Sequence, residues 1–138
     1  MLPLLSAAAL LEIAQHCATI ELPCNCSALP PGWAGWPVSL RENQLVQIGT
    51  LAQFEEEDAT LDEFHPDGTY YWSPGAPIAP RFYPYNQCGL WQCNRCQRAF
   101  LRYNDDGAYH SEARIRRLSP ELIVDAGHPF NGRYRPQP

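Results

Sequence analysis

The chain reads as an α+β fold: a small antiparallel sheet of two hairpins, an N-terminal helix, and long proline-rich loops stapled by a metal ion. Three observations point there. Fourteen prolines and nine glycines among 138 residues cut the chain into short elements, which disfavours a helical bundle. Aromatic and β-branched runs flank turn-forming dipeptides in two places, as hairpins require. Cys88, Cys93 and Cys96 lie at a Cys-x4-Cys-x2-Cys spacing, and the Cys-x2-Cys half is the tight turn in which two thiolates share one ion.

The length suits one domain, residues 1–126, with a flexible tail at 127–138 rich in proline and glycine. Charge is divided along the chain. Residues 1–80 hold one base, Arg41, against ten acids, whereas residues 81–138 hold nine arginines against five acids, and there is no lysine. Arginine is the side chain best suited to pairing with carboxylates, so many of these charges are expected to be used internally. An acidic half also attracts a basic protein partner and speeds its association.

The first helix is expected over residues 4–18. Its apolar run lacks the basic start of a secretion signal. Glu12, Gln15, His16 and Thr19 give it one polar stripe, the pattern of a helix lying on a core. Glu12 also interrupts the apolar run well short of a membrane span. A cytoplasmic protein with reduced thiols follows from this reading. Residues 20–37 are broken by prolines and carry Trp33 and Trp36, whose rings need burial, so an ordered loop wrapping the core is expected. Ser39 and Glu42 form a capping-box pair for a short helix ending near Gln44, followed by a strand through Val46 and Ile48.

Glu55, Glu56, Glu57 and Asp58 form a like-charge run, the candidate docking surface for a basic partner. The first hairpin is expected to turn at Asp67-Gly68 between residues 61–65 and 69–72. Four prolines then keep residues 73–85 extended up to Cys88. The second β unit holds residues 89–92, the Cys93–Cys96 turn, a strand at 98–103, a two-residue turn at Asp106-Gly107 and a strand at 108–118. On that last strand Tyr109, Ser111, Ala113 and Ile115 share one face, and His110, Glu112, Arg114 and Arg116 share the other, so one face is expected in the core and the other open to water or a partner. Ser119-Pro120 starts a final helical turn.

A structural zinc site needs four ligands. Cys88, Cys93 and Cys96 supply three, and the fourth is left between His65 and Cys24 or Cys26. His110 is excluded: in the expected register it faces Tyr103, seven residues from Cys96, or about 23 Å along a strand at about 3.3 Å per residue. A site closed by sulfur is poor at activating water. The chain also lacks the metalloprotease, nucleophile-elbow, phosphate-loop and deaminase signatures, so no enzyme is expected.

The Cys93-x2-Cys96 turn running into Phe100-Leu101-Arg102-Tyr103 resembles the knuckle of a zinc-ribbon module. No second knuckle follows downstream of Cys96. In size and charge the chain is similar to small bacterial immunity proteins that accompany toxins, which implies an inhibitor covering a basic toxin partner. The alternative is a small nucleic-acid-binding zinc protein using Arg95, Arg98, Arg102, Arg114, Arg116 and Arg117.

Overall fold

A computed structural model of the chain describes residues 2–37, 40–52, 60–106 and 111–126. Helix α1 spans Ala7–Ala18 and begins at Ser6, whose side chain accepts from the Ala9 N–H. It starts three residues later than expected because Pro3 to Leu5 run beside a strand, with the Leu5 N–H bonded to the Thr50 carbonyl and the Thr50 N–H to the Pro3 carbonyl. Five strands follow: β1 Ala34–Gly35, β2 Leu45–Thr50, β3 Gly89–Cys93, β4 Ala99–Asp106 and β5 Ser111–Arg117. They form one antiparallel sheet in the order β1-β5-β4-β3-β2. No helix among the described residues is long and apolar enough to cross a membrane.

Alternation along the strands gives the sheet two covered faces. Leu90, Ala99, Leu101 and Tyr103 point to one side, where Leu10 of α1, Trp33, Leu51, Ile78, Tyr85 and Cys88 complete a core. Cys93, Phe100 and Ile115 point to the other, where Leu29, Leu40, Leu45, Cys26 and Cys96 form a second core. The segment between α1 and β2 covers this second face. It enters through a 3-10 turn at Asn25–Ala28, pairs as β1 with one sheet edge, and reaches β2 at the opposite edge through another 3-10 turn, Glu42–Gln44. Trp33 is buried and Trp36 half-buried, as the demand for ring burial predicts.

The hairpin expected around Asp67-Gly68 is corrected. A turn is present, with the Gly68 N–H bonded to the His65 carbonyl and Gly68 at φ +83°, but no strand flanks it among the described residues. Two of its aromatics pack on the core, Phe64 5.1 Å from Phe82 and Tyr71 stacked 5.9 Å from Trp33, while Tyr70 and Trp72 stay exposed. The β4–β5 register also differs from expectation. Asp106 pairs with Ser111 and Arg102 with Ile115, so four residues separate the strands where two were expected. His110 and the remainder of that loop lie outside the described residues, as do Ser39, the acidic run Glu55, Glu56, Glu57 and Asp58, and residues 127–138.

The expectation of one open face on β5 fails at Arg116, which is 1% exposed. Its guanidinium donates to the Tyr85 hydroxyl and to the carbonyls of Pro74 and Ala76. These bonds make a buried arginine tolerable and tie the proline-rich segment to the sheet. The turn at Pro120–Leu122 forms with proline in its first positions but without a capping bond from Ser119.

Candidate metal centre

Two local turns build the centre. In the first, the Gln97 N–H bonds to the Cys93 carbonyl at 2.9 Å and the Cys93 N–H to the Arg98 carbonyl at 2.7 Å, closing the Cys93-x2-Cys96 loop at the end of β3. Gln97 adopts φ +72°, the left-handed conformation needed to bring the chain back into β4. In the second, the 3-10 turn holds Cys24 and Cys26 two residues apart, with the Ser27 N–H and hydroxyl both donating to the Cys24 carbonyl. Cys26, Cys93 and Cys96 are buried and Cys24 is half-buried.

The sheet brings these turns together. Cys24 Sγ is 3.7 Å from Cys93 Sγ and Cys26 Sγ is 3.2 Å from Cys96 Sγ. All four sulfurs lie within 4.8 Å of one another. A tetrahedral ion with metal–sulfur bonds of about 2.3 Å sets its sulfurs about 3.8 Å apart, so the observed spread brackets the separation such a site needs. The four cysteines can therefore hold a metal ion.

Groups around the sulfurs fix their orientation. The Gln44 amide donates to Asn25 Oδ1 at 2.7 Å, to Cys93 Sγ at 3.4 Å and to Cys24 Sγ at 3.6 Å. The Gln44 carbonyl accepts from the Asn94 N–H and the Asn43 carbonyl from the Asn94 side chain, so the start of β2 is bonded directly to the knuckle. Arg98 donates to the carbonyls of Leu22 and Ile20 at 2.8 and 2.9 Å, pinning the chain just before Cys24 and placing a cation beside the Cys96 and Cys26 sulfurs.

The thiols differ as proton donors. Burial opposes ionisation of Cys93, but the Gln44 amide, the backbone N–H groups of Cys96 and Arg95, and Cys24 outweigh it and bring the thiol down to about 6. Burial, reinforced by contact with Cys96 and Cys24, pushes Cys26 far up. Without an ion, crowded thiols cannot all ionise, and the charge settles where donors converge. An ion removes that conflict by replacing the protons.

Of the ligands expected from sequence, Cys26, Cys93 and Cys96 meet, joined by Cys24. Cys88 does not. It stands five positions before Cys93 on a continuous strand path, an odd separation that turns the two to opposite faces. Its thiol is buried in the helix-side core and donates to the Pro84 carbonyl at 3.3 Å, and burial pushes its pKa well up. His65 is elsewhere too: Nε2 lies 2.7 Å from Glu63 Oε1 and Nδ1 2.7 Å from Thr69 Oγ1, so both ring nitrogens are used in stapling its turn. Cys17 accepts from the Ala99 N–H at 3.2 Å on the helix side. Strand parity was the signal in the sequence that separates Cys88 from Cys93. The convergence of Cys24 with Cys26 had no local signal.

The arginines are largely engaged. Arg102 lies 4.4 Å from the Trp36 ring and 4.7 Å from the Trp91 ring while bonding Glu42 at 2.6 Å. Arg114 pairs with Asp105 and Glu112 and lies 5.0 Å from the Trp72 ring. Comparison of the chain with protein-family models, with curated proteins and with solved structures gives no match. Neither the zinc-ribbon nor the immunity-protein likeness gains support there, and the reading of the site rests on its own residues.

Proposed function

We propose that the chain is a non-enzymatic protein-binding module whose fold is completed by one structural zinc ion on Cys24, Cys26, Cys93 and Cys96. The convergence of four sulfurs from two segments about 70 residues apart carries this reading. Four soft thiolates within 4.8 Å of one another suit zinc, with iron as the competing ion. Four protein ligands leave no open position for water, which favours a structural over a hydrolytic role. Metal analysis of protein purified without chelator tests the assignment: one zinc per chain is expected, and iron or no metal overturns it.

The module works in a reducing compartment such as the cytoplasm, where thiols persist. Its partner is a basic protein, and a bacterial immunity or inhibitor role against a basic toxin domain is the form this takes. The acidic balance of residues 1–80 supports the choice of partner. Recovery of a partner from the native host is expected to fall when Glu55, Glu56, Glu57 and Asp58 are neutralised to amides. Equal recovery at low salt removes that run from the interface. The nucleic-acid reading is weaker, because Arg98, Arg102, Arg114 and Arg116 all make internal bonds. Absence of retention on heparin at low ionic strength is the expected result.

A further inference from the structure

We propose that the cysteine centre is also a redox-responsive clasp: a two-electron oxidant of the hydrogen peroxide class exchanges its ion for two disulfides, Cys24 to Cys93 and Cys26 to Cys96. The inference rests on the zinc reading above and adds the regulation of that site. Both close sulfur contacts, at 3.7 and 3.2 Å, run between the segment covering the sheet and the knuckle on the sheet. They span 69 and 70 positions of sequence. A disulfide needs sulfurs about 2.05 Å apart, so each pair closes by side-chain rotation through the space the ion leaves. The oxidised centre therefore joins the same two segments that the metal joins.

Cys24 is the point of entry, being half-buried while the other three cysteines are buried. Peroxide transfers one oxygen to the Cys24 sulfur: an S–O bond forms, the O–O bond breaks, hydroxide leaves, and Cys24 becomes a sulfenic acid. The Cys93 thiolate then attacks that sulfur. The S–S bond forms, the S–O bond breaks, and a second hydroxide leaves. Cys26 and Cys96 consume a second peroxide in the same way. In sum, a zinc ion held by four thiolates and two peroxides become two disulfides, a free zinc ion and four hydroxides, with four electrons passing from sulfur to oxygen. Cross-links that close long loops constrain the unfolded chain most, so the covering segment stays in place once the ion has gone.

The test uses the full-length zinc-loaded chain, its metal content measured first, then treated with excess hydrogen peroxide. Release is followed with a chromogenic chelator, remaining thiols are alkylated, and disulfides are mapped without reduction. Trypsin cuts after Arg95 and so separates Cys93 from Cys96, while fragmentation at Asn25 distinguishes Cys24 from Cys26. The expected result is full zinc release, the two cross-segment disulfides, free Cys17 and Cys88, unchanged protease resistance, and recovery of the zinc form with reductant and zinc. Disulfides within Cys24/Cys26 or Cys93/Cys96, intermolecular products, loss of protease resistance, or zinc retained under peroxide overturn the clasp while leaving the zinc reading intact. A chain that carries no metal before peroxide is added overturns the zinc reading and the clasp with it.

Discussion

The two faces of the sheet are covered by different means. On one, Leu10 of a regular helix and the proline-rich segment around Ile78 and Tyr85 meet Leu90, Leu101 and Tyr103, and hydrocarbon with aromatic rings fills the space. Burying each large aliphatic side chain there contributes about 1.5 to 3 kcal/mol. On the other, the cover is an irregular segment of 3-10 turns and a two-residue strand. Leu29, Leu40, Phe100 and Ile115 give it a modest apolar core, to which Cys26, Cys93 and Cys96 also belong. A helix satisfies its own backbone and can be held by side-chain packing alone. An irregular cover loses the same backbone entropy, roughly 1 to 2 kcal/mol per residue, without a regular ladder of hydrogen bonds to offset it. An ion held by the four cysteines would supply what packing there does not.

The contrast can be broken most forcefully at the metal. Cys96→Ser removes one ligand, and structural zinc is worth an apparent 10 to 16 kcal/mol in small zinc modules, comparable to the whole stability of an ordinary domain. Loss of stoichiometric zinc and collapse of the thermal transition are expected, with chelator reproducing the effect in the unaltered chain. A variant that keeps both its zinc and its melting temperature contradicts a stapled face. On the packed face, Leu101→Ala is expected to cost about 2 to 5 kcal/mol in denaturant unfolding while zinc content stays at one per chain. Parallel loss of zinc there would mean that the two faces are not separable.

Cys88→Ala sharpens the division further. It is expected to lower stability by on the order of 1 kcal/mol, as a small buried truncation does, and to leave metal content unchanged; a fall in bound zinc would restore Cys88 as a ligand. The smallest effect is at the knuckle. Gln97 holds φ +72°, a conformation that costs a residue with a Cβ about 1 to 2 kcal/mol, against the added entropy cost of glycine. Gln97→Gly is expected to raise the melting temperature slightly, by a net gain of under about 1 kcal/mol, and a drop would show that the Gln97 side chain does more than occupy the turn.

Much of the fold was legible because its signals are local. The helix could be placed from its polar stripe, and Ser6 fixes its start through a bond three residues along. The strand through Val46 and Ile48 followed from alternation. The 61–72 hairpin misled for a physical reason: Tyr71 and Phe64 satisfy a strand pattern equally well by burying against Trp33 and Phe82. The turn after β4 was misread because an Asp-Gly pair is compatible with more than one loop length, and the length decides the register. Arg116 looked like a surface charge. Its burial depends on the carbonyls of Pro74 and Ala76, about 40 residues away.

The amino-acid sequence alone determined that Cys93 and Cys96 share one turn, because a two-residue spacing closes through hydrogen bonds within the turn itself. The expectation that Cys88 joins them failed, because the path from Cys88 to Cys93 is extended and five steps along a strand turn the two to opposite faces. Only the tertiary structure decided which sulfurs complete the cluster. Cys24 and Cys26 reach the knuckle because their turn, between α1 and β1, lies over the sheet face beside the end of β3, and where that turn falls depends on strand order and register, properties of the assembled sheet that no short window of residues encodes.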